Sequence, residues 1–81
     1  MNDAIAKLVA RLEAIARKND DRFEYKIVVT PVRGGVQFRF ICYELPDRHE
    51  MFTGCGNTVE EAVAGADSEV ADVCKEWGYT E

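Results

Sequence analysis

The hydrophobic residues of this chain change period twice within 81 positions, and that change constrains the fold more than any other feature. Through residues 3–18 they recur at spacings of three and four, as Ile5, Leu8, Leu12 and Ile15, with Val9 and Ala16 alongside. Such spacing gathers them on one stripe of an α-helix. Asn2 or Asp3 is placed to cap its start. Arg17 and Lys18 suit its negative end, and Asn19-Asp20-Asp21 breaks it with turn-forming side chains. From Phe23 the period falls to two. Phe23, Tyr25, Ile27 and Val29 alternate with Glu24, Lys26, Val28 and Thr30, the pattern of a strand that Pro31 limits. Arg33-Gly34-Gly35 supplies a hairpin turn, and a second strand runs from Val36 to about Leu45. Pro46-Asp47-Arg48-His49 turns the chain again, ahead of a short third strand from about Glu50 to Cys55.

The helical period then returns. Thr58-Val59-Glu60-Glu61 matches a capping box, and Gly78 is placed to end the helix it opens. Val59, Ala62, Val63, Ala66, Val70, Val73, Cys74 and Trp77 fill one arc of that helix. The expected fold class is α+β: helix, three-stranded antiparallel sheet, helix, with both helices on one sheet face. Residues 1–81 form a single domain without repeat, linker or low-complexity stretch.

Several classes of function are disfavoured. No apolar run approaches the ~20 residues of a membrane span, and the N-terminal segment lacks the continuous apolar stretch of a secretory signal, so a cytoplasmic location is expected. Cys42, Cys55 and Cys74 contain no close pair, and the sole histidine, His49, cannot complete a zinc site with them. The expectation is no metal, no cofactor and buried free thiols, as in a reducing compartment. The net charge of −5, from 15 acids against 10 bases, is opposite to that of a protein gripping a phosphate backbone.

Two surfaces emerge as candidate sites. With Gly34-Gly35 as the turn, Arg33 opposes Val36, Val29 faces Phe40 and Ile27 faces Cys42. A four-residue second turn brings Met51, Thr53 and Cys55 to the same, helix-covered side. The open face then carries Lys26, Val28, Thr30, Arg39, Ile41, Tyr43 and Phe52. Tyr43 and Phe52, beside Val28 and Ile41 and flanked by Lys26 and Arg39, form an apolar patch suited to a homodimer or partner interface. Its two aromatics also suit stacking by single-stranded nucleic acid. The second surface is the last helix, where Glu60, Glu61, Asp67, Glu69, Asp72 and Glu76 stand against a single Lys75. These acids fall outside the apolar arc, largely opposite it. Docking on a protein partner with a basic surface follows from that asymmetry.

The order helix, three strands, helix resembles the double-stranded-RNA-binding domain. That family carries a stretch of the form G-x-G-x-S-K-K-x-A-K-x-x-A, and residues 54–66 read Gly-Cys-Gly-Asn-Thr-Val-Glu-Glu-Ala-Val-Ala-Gly-Ala. Gly54, Gly56, Thr58, Ala62 and Ala66 match in kind, whereas the three lysine positions fall on Val59, Glu60 and Val63. In the family those lysines reach phosphates across the major groove. The resemblance thus implies the fold and speaks against its usual ligand. Gly54-x-Gly56 lacks the third glycine and the parallel unit of a dinucleotide turn. His49 with a thiol would need an activated cysteine, and the acidic pairs lie on solvated faces.

The reading is a small non-enzymatic interaction protein, an acidic inhibitor or adaptor. In size and charge it is similar to small acidic phage-encoded inhibitors of host nucleic-acid machinery, anti-CRISPR proteins among them. One alternative is a divergent nucleic-acid-binding module using Lys7, Arg11, Arg17, Lys18, Arg33 and Arg39. The other is a homodimeric structural module.

Overall fold

A computed structural model describes residues 3–81. Helix α1 spans Asp3–Lys18, strands β1, β2 and β3 span Phe23–Val32, Gly35–Glu44 and His49–Gly56, and helix α2 spans Val59–Trp77. The strands form one antiparallel sheet in the order β1-β2-β3, so β1 and β3 are its edges. The fold is α+β as expected, with both helices packed on one face of the sheet. Asn2, a candidate cap, lies outside the described residues.

The core follows from the apolar stripes. Leu8, Leu12 and Ile15 of α1 meet Val63, Ala66, Val70, Val73 and Cys74 of α2 above Phe40, Cys42 and Phe52 of the sheet. Each fully buried aliphatic or aromatic side chain contributes about 1.5–3 kcal/mol, and this shared interior is what holds two short helices in place. The two layers touch most closely at Gly54. A Cβ there would lie 2.1 Å from the Ala62 carbonyl oxygen and 2.2 Å from the Ala66 amide, so β3 and α2 can pack this tightly only because residue 54 has no side chain. The expected capping box forms with one shift. The Thr58 hydroxyl accepts from the Glu61 amide at 3.1 Å, while the Glu61 carboxylate accepts from the Asn57 amide, one residue before the cap, at 2.9 Å. Gly78 ends α2 at φ 78°, in the left-handed region.

Two details of the sheet differ from the sequence reading. The first turn is Arg33-Gly34, with Gly34 at φ 88° and Val32 opposite Gly35. Val29 therefore faces Phe38, and Ile27 faces Phe40. A slip of two leaves each side chain on its expected face, because the strand period is two. The second difference changes faces. A bulge between Cys42 and Tyr43 sets Tyr43 against Glu50 but Cys42 against Phe52, leaving Met51 as the extra residue. Beyond it Phe52 and Gly54 turn to the helices, and Thr53 and Cys55 turn away. Phe52, placed by sequence on the open face, is a core residue at 6% exposure. Cys55, expected to be buried, is exposed.

Candidate partner-binding surface

The helix layer is set off-centre over the sheet. α2 packs on β3 and β2, and α1 packs mainly on α2 with only light contact to β1. The surfaces left outside this core therefore differ sharply in chemistry.

On α2 all six predicted acids are exposed. They do not lie in one band opposite the core. At about 100° per residue they form two rows flanking the buried arc. Glu60 and Asp67 border α1, where the Asp67 carboxylate meets the Arg11 guanidinium at 3.0 Å. Glu61, Glu69, Asp72 and Glu76 follow the other border, toward β3, where Gly65 lies over Gly54 and Cys55. Glu61 is engaged by the cap, but no ion pair found among the described residues involves Glu69, Asp72 or Glu76. Those three stand within about 60° of one another on the helix and make a compact, uncompensated negative row.

The basic residues of α1 are partly engaged within the molecule. Arg11 binds Asp67 and the Glu81 side chain, which hold its guanidinium pKa above the ordinary value against the opposing effect of burial. The Lys18 ammonium donates to the Glu81 carbonyl at 2.7 Å, and the Asn19 side chain bonds the Thr80 backbone on both sides. Tyr79, just past α2, lodges its ring edge-on against Phe23 at 5.5 Å and presents its hydroxyl to the carboxylates of Asp21 and Glu44. Burial and these two acceptors push the phenol pKa far up, so it remains a donor. Burial works against the charged form of Asp21, but bonds from the Tyr79 hydroxyl and the Arg22 amide outweigh it and hold that carboxyl below its usual range. This part-buried acidic pair went unrecognised in the sequence because its members are 23 positions apart in number, at Asp21 and Glu44, and join only through Tyr79.

The open sheet face is less available than expected. Ile41 lies on it but is only 6% exposed. Tyr43 is half-buried, with the Lys26 ammonium 5.3 Å and the Arg48 guanidinium 5.5 Å from its ring centre. Arg48 is held there by Glu24 at 2.7 Å. With Phe52 in the core, Lys26, Val28, Arg39, Ile41 and Tyr43 remain of the predicted interface, and its aromatic pair is lost. The exposed large apolar residues are elsewhere: Tyr25 (39%), Ile27 (37%) and Val29 (54%) on the helix-side face of β1, and Val32 and Val36 at the hairpin end.

Among the described residues no group of three metal-ligating side chains converges, and no helix is long and apolar enough to cross a membrane. Burial alone lifts the Cys42 thiol to about 12, which leaves it unreactive. Comparison with protein-family models, curated proteins and solved structures finds no match to this chain.

Proposed function

We propose that this chain is a non-enzymatic interaction protein that presents α2 to a basic surface of another protein, as an acidic inhibitor or adaptor does. The reading rests on one observation: Glu69, Asp72 and Glu76 form an exposed row that no cation of the described residues pairs. A row of like charges on a rigid helix raises encounter rates with an opposite surface and fixes its orientation. It does not stabilise the fold, since adjacent carboxylates repel, so the α-helix carries it at a small cost in stability.

The basic residues that a nucleic-acid-binding reading would use are less favourable. Arg11 and Lys18 are tied to the C-terminal residues, and the lysine positions of the double-stranded-RNA-binding pattern are Val59, Glu60 and Val63. The α-β-β-β-α topology is compatible with that domain family, and the chain would then be a divergent member that has lost its phosphate contacts.

The test compares the wild-type protein with a triple variant, Glu69→Lys, Asp72→Lys and Glu76→Lys, as bait in nuclease-treated lysate. A partner with a basic surface should be held by the first, released by moderate salt, and lost from the second. Equal capture by both baits, or binding indifferent to salt, overturns the assignment to α2. A shift of duplex RNA by the wild type in a gel titration would favour the nucleic-acid-binding reading instead.

A further inference from the structure

The two edges of the sheet are protected unequally. Beside β3 runs the acidic row of α2, and its helix-side residues Phe52 and Gly54 are buried. β1 is a ten-residue edge strand that pairs with no strand of the described residues on its outer side. Its helix-side residues Tyr25, Ile27 and Val29 are each more than one-third exposed, and α1 touches β1 only lightly. A long edge whose unpaired amides and carbonyls accompany exposed apolar side chains is a template for another strand.

We propose that the strand which pairs there is β1 of a second copy, running antiparallel about a two-fold axis at Ile27. Three observations select a second copy and this register. Pro31 has no N–H for a ladder, and an antiparallel pair centred on Ile27 matches residues 24–30 with 30–24, leaving Pro31 outside, opposite Phe23. Centred there, Tyr25 stands opposite Val29 of the second copy and Ile27 opposite its equivalent, so each exposed apolar side chain meets another. On the other face Lys26 meets Val28 and Glu24 meets Thr30, which places no like charges opposite each other. Moving the axis one residue to Lys26 would set two ammonium groups face to face. The product is a continuous six-stranded sheet with all four helices on one side and the acidic rows at its two ends. This pairing is independent of the partner proposed for α2, and Tyr43 takes no part in it.

Sedimentation velocity from micromolar to millimolar concentration tests it, with Ile27→Lys and Val29→Lys as variants. Both positions are more than one-third exposed, so the monomer should keep its circular dichroism and melting temperature. The wild type is expected to reach twice the 9.1 kDa chain mass, and Ile27→Lys, which puts two charges on the axis, to remain at the single mass. Val29→Lys is expected to weaken the dimer less. Hydrogen exchange should show β1 amides gaining protection as concentration rises. A wild type that remains monomeric at millimolar concentration overturns the proposal. So does a dimer that survives Ile27→Lys, and loss of the dimer in Tyr43→Ser alone would move the contact to the open face.

Discussion

Single atoms decide more here than the regularity of the chain suggests. Gly54 and Gly65 lie near each other across the β3–α2 contact, yet they should respond oppositely to the same added methyl. At Gly54 the new Cβ would collide with the backbone of Ala62 and Ala66, which cannot swing aside. Gly54→Ala is expected to destabilise by about 3 kcal/mol or more. At Gly65 the nearest atom is 3.5 Å away, an ordinary contact, and alanine removes the conformational cost of a glycine inside a helix. Gly65→Ala should stabilise by up to about 1 kcal/mol. Urea unfolding of the two variants measures both signs. Tyr79→Phe is the second residue-scale prediction. Asp21 has a folded pKa below its unfolded value, so its contribution is present above about pH 4 and disappears as the pH falls through the folded value. Removing the Tyr79 hydroxyl should cost about 1 kcal/mol near neutrality. The variant's stability should consequently fall less steeply than the wild type's below pH 4, as unfolding followed across pH would record.

Among the elements, α2 carries its own start and stop, while the strands depend on their neighbours. Thr58→Ala removes one cap bond to the Glu61 amide and is expected to lower stability by about 1 kcal/mol without altering the helix limits, which thermal unfolding can verify. Strand β3 has no comparable local signal. Its alternation is legible, but the residue at which the alternation inverts is not. Met51 is inserted by the bulge, and nothing in Glu50-Met51-Phe52 distinguishes an inserted residue from a paired one. One extra residue moved Phe52 into the core and Cys55 out of it. The two-residue error at the first turn, by contrast, had no effect on the faces.

For the whole molecule, periodicity reveals the element order, the limits of α1 and most of the core, because burial and period are two views of the same apolar stripes. The displacement of the helix layer toward β3 is illegible, since it depends on how closely Gly54 allows α2 to approach. That displacement leaves β1 only lightly covered, so the exposed apolar surface appears on the face from which sequence reasoning had excluded it. The acids of α2 were legible as charges. Their division into a row shared with Arg11 and a row left unpaired depends on where α1 lies.

The C-terminal residues have a consequence for what the surface displays. Tyr79, Thr80 and Glu81 are fastened to the far end of α1 and the loop after it, and two of the cations they occupy are Arg11 and Lys18. These three residues act as a cover on a cationic helix. Without these three residues Lys18 would lose its carbonyl partner, Arg11 would keep Asp67 alone, and the Asp21–Glu44 pair would be free of its phenol. The molecule would then show a second electrostatic character at the far end of α1.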